Sequence, residues 1–454
     1  MSTVVTRFAP SPTGYLHAGN YRTAVFAYLF AKHEGGKFIV RIEDTDVARS
    51  KPEYVANIPE ILKWLRLPAD ESYRQSEHRP RHRELLEKLI AEDTAYVSKE
   101  TPQAPGDREE VIRFRNPGGT VTFTDIIRGD ITTDVTDLGD FIIARSLDEP
   151  VFHFAVVVDD ADEGVTHVIR GGDHISNTAR QMLIQRALGL PLPLYAHLPL
   201  IMDSTHKKLS KRAGAKSLAD YRDMGILPEA LLNYLAFLGW NPGDNREYMT
   251  REELVGAFDL SRVQKGSAIF DEVKLLSVNQ HWMRALPDEK FLAHVWDLRS
   301  PTSDVGLRKS HNSEIITKIV PLLKERAQTF EEVREMLARE LSFFFSDPKI
   351  DLQQLVLKEP ADRPGMTKMA LESLFEAINS LPKGVSSEAV KEALMPLADA
   401  EEAKGKGGRG AVLWPLRYAL SGEERSPDPF TIISILGTKD SISRLQAALG
   451  ILKG

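Results

Sequence analysis

The chain has 454 residues, 42% of them hydrophobic, which suits about three packed domains. Its net charge of -7 and isoelectric point near 6.0 do not announce a nucleic-acid binder, although a local basic face would suffice for one. It has no cysteine, which excludes disulfides and thiolate metal sites and fits a reducing compartment. No apolar run reaches transmembrane length and the start lacks a signal-peptide core, so a cytoplasmic protein without a membrane partner is expected.

In chain order, Val4–Val5 read as the end of a short buried strand. Pro10, Pro12 and Gly14 then forbid regular structure and set a fixed turn. Tyr21 to His33 read as a helix, with Ala24/Tyr28 and Val25/Leu29 spaced by four, stopped by Gly35–Gly36. Lys37 to Ile42 read as a second buried strand. This strand–loop–helix–strand unit places its loop at the carboxyl end of the first strand, where open α/β sheets bind ligands. The helix N-terminus there suits phosphate. The glycine spacing fits neither a dinucleotide fingerprint nor a Walker A loop. Gly19 permits close approach to the backbone, and His17 could donate to a phosphoryl oxygen. Taken alone, His17 would read as an ordinary helix-start residue.

Glu43, Asp44 and Asp46 follow the second strand and face the same crevice, with a solvated loop or the cap of helix Pro52 to Leu65 as the plain alternative. A basic helix, Arg79 to Ala91, leads to a polar stretch, Tyr96 to Gly106. Short strand-like runs come next: Val111 to Phe114, Val121 to Phe123, Ile126 to Ile127 and Asp140 to Ala144. They read as an insertion between two halves of a nucleotide-binding sheet. Val151 to Val158 and Val165 to Ile169 are continuous apolar runs suited to central parallel strands, followed by a helix, Asn177 to Leu188. Lys207 to Gly214 form a basic loop. Helix Pro228 to Leu238 and a capping box at Thr250 come next, and from about Pro287 the sequence is helical to the end, with a second capping box at Thr329. Phe343 to Phe345 read as core. Lys404, Lys406, Arg409 and Arg417 make a local basic cluster, which is either a solvated linker or a contact for RNA phosphate.

The string Arg7-Phe8-Ala9-Pro10-Ser11-Pro12-Thr13-Gly14-Tyr15-Leu16-His17-Ala18-Gly19-Asn20 resembles the first signature of class I aminoacyl-tRNA synthetases, in the form used by bacterial glutamyl-tRNA synthetases. Lys208-Leu209-Ser210-Lys211-Arg212 resembles the second signature, in the expected order. The run Lys265 to Asp271, followed by Leu275–Leu276, is similar to the family's stem-contact region, and the helical tail resembles its anticodon-reading cage more weakly.

The resemblance implies an α/β fold: a Rossmann-type parallel-sheet catalytic domain (1–79 and 150–203) with an inserted acceptor-stem-binding α+β domain (80–149). A stem-contact domain (204–286) and two helical anticodon-binding subdomains (287–383 and 384–454) would follow. It implies a glutamate–tRNA ligase using ATP with Mg²⁺, partnered by L-glutamate and tRNA(Glu), with tRNA(Gln) as a second acceptor in a non-discriminating variant, and acting as a monomer. Implied glutamate contacts are Arg7, Ser11, Glu43, Phe152 and Arg170. Implied ATP contacts are Thr13, His17, Gly19, Asn20, Asp173, Leu209 and Lys211, with His17, Asn20, Lys208 and Lys211 catalytic. Some relatives carry a cysteine zinc knuckle in the insertion, and this chain is expected to hold no zinc. Departures from the family pattern are Phe152 for tyrosine, Asn20 for histidine or glycine, Gly172 for an acidic residue and Ala213 for histidine. A small-molecule nucleotidylyltransferase, which needs neither the arginine pair nor the tail, and a catalytically silent tRNA-binding paralogue are the other readings.

Overall fold

The computed structural model describes residues 3–46, 48–101, 108–209, 215–296, 312–356, 363–403 and 408–452. The chain divides into two compact units, Met1–Trp282 and Met283–Gly454.

The first unit opens with β1 (Val5–Phe8), α1 (Ala18–His33), β2 (Lys37–Ile42), α2 (Pro52–Trp64), β3 (Glu71–Arg74) and α3 (Arg79–Ala91). Four strands, β4 (Ala95–Lys99), β5 (Glu110–Phe114), β6 (Thr120–Asp125) and β7 (Gly129–Asp134), come next, then β8 (Phe141–Ser146) and β9 (Glu149–Pro150). The chain returns through α4 (Phe152–Asp162), β10 (His167–Gly171), α5 (Ile175–Leu188) and β11 (Leu194–Leu198). The main sheet has the order β3-β2-β1-β10-β11-β6-β7. It is parallel throughout except for the antiparallel β6–β7 hairpin, whose β6 runs parallel to β11 through Tyr195 and Asp125. All four residues of β1 are buried, as a strand covered by helices on both faces requires. β7 instead alternates partly buried and exposed residues, the mark of an edge.

Two expectations fail here. The apolar run Val151 to Val158 is not a strand but the start of α4. Phe154 to Asp160 are all buried and Phe154 to Val158 are all apolar, so this helix is buried around its whole circumference and lacks the periodicity that separates a helix from a buried strand. Ile126–Ile127 is the turn of the β6–β7 hairpin, held by Asp125, whose Oδ1 accepts from the Ile127 and Arg128 amides at 3.0 and 2.9 Å. That hairpin extends the main sheet, while β4, β5, β8 and β9 form a separate antiparallel sheet.

In the second unit, helices include Asp288–Val295, Asn312–Arg326, Phe330–Ala338, Arg363–Asn379, Ser387–Ala403, Gly410–Ser421, Pro429–Leu436 and Thr438–Ile451. Among its described residues there is no strand. Phe343 and Phe344 are buried, their rings 4.3 Å apart. Buried Arg444 donates to the carbonyls of Leu420, Phe343 and Ser346 and so ties three segments together. Helix Arg363–Asn379 packs on Gly410–Ser421 and Thr438–Ile451, so one bundle spans the expected 383/384 division. Thr329 caps its helix through the Glu332 amide, but the Glu332 carboxylate turns to the amide of Gln328 rather than closing the box. Lys404 and Lys406 lie outside the described residues.

Candidate active site

Parallel strands β1, β2 and β10 end side by side and aim Arg7, Glu43 and Arg170 at one crevice. The loop after β1 is tied to β2 by the Glu43 amide, which donates to the Pro10 carbonyl at 3.0 Å. His17 is the N-cap of α1. Its Nδ1 accepts from the Gly19 amide at 3.0 Å, and Asn20 Oδ1 accepts from the His17 amide at 3.2 Å, a reciprocal capping box. Because Nδ1 accepts, the ring proton sits on Nε2, and the imidazole is a donor there. A Cβ on residue 19 would fall 2.8 Å from His17 Cε1, so glycine is what lets the ring lie over the helix start. Asn20, a departure from the family pattern, works here as the second half of the cap.

These residues line a cavity of about 750 Å³. Arg7, Ser11, Glu43, Phe152 and Arg170 face it, as do Thr13, His17, Gly19, Asn20, Asp173, Lys208 and Leu209. Lys211 and Arg212 lie outside the described residues. Lys208 Nζ pairs with Asp173 at 2.8 Å, both side chains about half exposed. Gly172 is explained by close approach: a Cβ there would meet the Leu198 carbonyl oxygen at 2.9 Å and Arg128 Nη2 at 3.1 Å, leaving no room for an acidic side chain.

The two arginines are held from behind. Arg7 donates through Nε to Asp160 at 3.1 and 3.3 Å. Arg170 donates through Nε to His197 Nε2 at 3.2 Å and through Nη2 to Thr178 Oγ1 at 2.8 Å, and its guanidinium lies over the Tyr195 ring. Burial pulls Arg170 down to about 10, with Tyr195 and Asp160 opposing the fall, so it stays charged near neutrality. Glu43 is 4% exposed and has Arg41 Nη2 at 3.3 Å. Burial pushes its carboxyl up to about 7 against the pull of Arg41 and Arg7. Arg41 is fully buried and also donates to Asp160 at 2.8 Å and Glu163 at 2.6 Å, with Asp159 at 3.7 Å. Asp159 is bonded by His82 and His78 at 2.7 and 3.1 Å, so Arg7 and Arg41 face three further carboxylates, Glu43, Asp160 and Glu163, an excess of buried acid beside Glu43 that a cationic ligand would relieve. The site therefore has one end for an anion, between Arg7 and Arg170, and one for an ammonium, at Glu43.

The sequence reading missed Asp125, Asp160, His174, Thr178 and His197. His174 lines the cavity against Phe152, ring centroids 5.7 Å apart. Burial, then Arg170, lowers it to about 4, so the imidazole is neutral. No local spacing distinguishes any of these: Asp160, His174 and Thr178 sit among other polar residues, and Asp125 and His197 acquire their partner only across 72 residues of sequence. Among the described residues, no cluster of three His, Asp or Glu side chains is placed to hold a metal ion.

A Rossmann-like sheet that gathers the first signature stretch, with Lys208 and Leu209 of the second, at the carboxyl ends of its strands is the arrangement of a class I aminoacyl-tRNA synthetase catalytic domain. The family of class I tRNA synthetases (E and Q), catalytic domain, matches residues 3–110 and 103–277, and an anticodon binding domain matches residues 289–449. The chain is 40% identical to Glutamate--tRNA ligase 2 of Coxiella burnetii strain Dugway and to Glutamate--tRNA ligase 1 of strain RSA 493, over 99% of this chain and 98% of each relative. Its fold is similar to a glutamate tRNA ligase from Elizabethkingia meningosepticum solved in complex with its amino acid, with a TM-score of 0.84 and 33% identity over 99% of this chain and 100% of that one. A glutamate-tRNA synthetase from Elizabethkingia anophelis gives 0.82 and 32% over the same shares. The chain belongs to the class I tRNA synthetases of the E and Q family.

Proposed function

We propose that this chain is a glutamate–tRNA ligase, and that the cavity at the ends of β1, β2 and β10 is where it activates glutamate. The observation that carries the reading is the pair of buried arginines, Arg7 and Arg170, opposite buried Glu43 in one cavity with the capped start of α1. Arginine only donates and a glutamate side-chain carboxylate only accepts, whereas a glutamine amide would turn donors toward donors. Pairing of this kind discriminates by about four to five orders of magnitude.

In this reading Arg7 and Arg170 grip the side-chain carboxylate, with Ser11 beside them, and Glu43 holds the α-ammonium. Phe152 supplies an apolar wall. The substrate α-carboxylate attacks the α-phosphorus of ATP, forming glutamyl-adenylate and releasing pyrophosphate. His17, through Nε2–H, and the α1 N-terminus with Thr13, Gly19 and Asn20 hold phosphate oxygens. Lys208 leaves Asp173 for the departing pyrophosphate, and Lys211 joins it, binding charge that grows in the transition state. Mg²⁺ arrives with ATP. The terminal ribose hydroxyl of tRNA(Glu) then displaces AMP. Catalysis is positioning and charge stabilisation, with no covalent enzyme intermediate. The protein acts as a monomer in the cytoplasm. Among the described residues no helix is long and apolar enough to cross a membrane.

The test is charging of purified glutamate and glutamine tRNAs with labelled glutamate. Glutamate on tRNA(Glu) alone is the expected result. Glutamate on both would make the enzyme non-discriminating, and on neither would defeat the proposal.

A further inference from the structure

His197 lies on β11 and Asp125 ends β6, and both side chains are fully buried. Asp125 Oδ2 accepts from the His197 amide at 2.9 Å and from His197 Nδ1 at 2.7 Å. Its Oδ1 is engaged by the amides of Ile127 and Arg128. Burial opposes its ionisation, but the His197 hydrogen bond and these amides hold its carboxyl below the usual carboxylate range, so it is ionised and only accepts. The His197 proton therefore sits on Nδ1, and Nε2 presents a lone pair. That lone pair meets Arg170 Nε at 3.2 Å and Thr178 Oγ1 at 3.1 Å. Arg170 can only donate, so only this tautomer fits. With Nε and one Nη2 proton engaged from behind, the remaining N–H groups on Nη1 and Nη2 are the ones a carboxylate can take.

We infer that Asp125 and His197 are positioning residues for amino-acid selection: the carboxylate fixes the histidine tautomer, and the histidine fixes the rotation of the Arg170 guanidinium. This rests on the proposal that Arg170 grips the substrate side-chain carboxylate. It goes beyond it in placing specificity on a hairpin, β6–β7, that supplies no residue to the cavity wall. A protonated or tautomerised His197 would aim a second donor at Arg170 Nε–H and turn the fork away from its ligand.

The experiment compares Arg170→Gln, His197→Phe and His197→Gln by the KM for glutamate, the KM for ATP and kcat in tRNA charging. Phenylalanine keeps the ring volume without a ring nitrogen, and glutamine restores an acceptor near Nε2. Losing a hydrogen bond to a charged group predicts a rise of roughly tenfold to a hundredfold in glutamate KM for His197→Phe. The KM for ATP should stay within about twofold, because His197 touches nothing on the phosphate side, and His197→Gln should recover most of the loss. A folded His197→Phe enzyme with unchanged glutamate KM, beside an Arg170→Gln enzyme whose KM rises, would overturn the positioning role alone. An unchanged KM in Arg170→Gln would instead remove the reading of Arg170 itself. Should His197→Phe fail to fold, nitrogen NMR of the parent protein decides. A protonated Nδ1 and bare Nε2 on His197 at neutral pH is expected, and a protonated Nε2 would overturn the inference.

Discussion

Replacing Arg41 with methionine should expose how the ammonium end of the cavity is built. Arg41 is fully buried and donates to Glu163 at 2.6 Å, Asp160 at 2.8 Å and Glu43 at 3.3 Å. Methionine fills much of the volume but leaves Glu43 and Glu163 without their ion-pair partner and Asp160 with Arg7 alone, while Asp159 keeps His82, His78 and Gln75. Breaking a buried ion pair by removing one partner costs about 3–5 kcal/mol. The loss should depend on pH with a definite sign. Burial already pushes Glu43 and Glu163 up to about 7, above their unfolded value of 4.5, and without Arg41 they rise further. Between those values the folded state binds more protons than the unfolded one, so stability grows as pH falls. The destabilisation should therefore be largest near about pH 8 and shrink towards about pH 5.5 as the orphaned carboxyls take up protons. Because the chain has two compact units, the first must be read locally, by hydrogen exchange of peptides covering Lys37–Ile42 and Phe152–Asp162 across a urea series. An Arg41→Met protein as stable as its parent near about pH 8, or one whose deficit deepens on acidification, would refute the reasoning.

Glutamate binding should weaken as pH falls through about 7, because the ammonium needs the Glu43 carboxylate ionised. Below that point the apparent affinity should drop by about tenfold per pH unit, and Glu43→Gln should be weak and flat. A pH-independent glutamate KM in the parent enzyme would contradict this. His17→Asn keeps a good N-cap for α1, so unfolding should change by no more than about 0.5 kcal/mol. It loses the Nε2 donor, so adenylate formation should slow by about 10²–10³-fold. Near-parental turnover in a folded His17→Asn enzyme would take His17 out of phosphate binding.

The start of the chain was legible because Pro10, Pro12 and Gly14 leave its loop one course, and because Phe38, Ile39 and Val40 make an apolar run between Gly35–Gly36 and the charged turn. The observed strand β2 has the expected limits, and the residues of both strand ends and of the first signature meet in one cavity. α4 was illegible for a physical reason: a helix buried on every side carries no period, and none can be read where Phe154, Ala155, Val156, Val157 and Val158 are all in the core. Of the β6–β7 hairpin, β6 was readable as a strand, but β7 was not, because Gly129–Asp134 has Ile131 as its one large apolar residue, and neither was readable as part of the main sheet, since the partner β11 lies far along the sequence. Long-range pairing also hid the supports of the site. Asp160 and Arg7 are separated by 153 residues, and Asp125 and His197 by 72. Neither pair has a local spacing that links its members before the fold brings them together.

The most direct test of the central claim is competition between glutamate and glutamine for activation, with tRNA and ATP present, read as adenylate-dependent pyrophosphate exchange and as the amino acid recovered from tRNA. The arginine pair predicts glutamate alone, with glutamine disfavoured by about 10⁴-fold or more. Comparable activation of glutamine, or activation of neither while ATP still binds, would contradict the account.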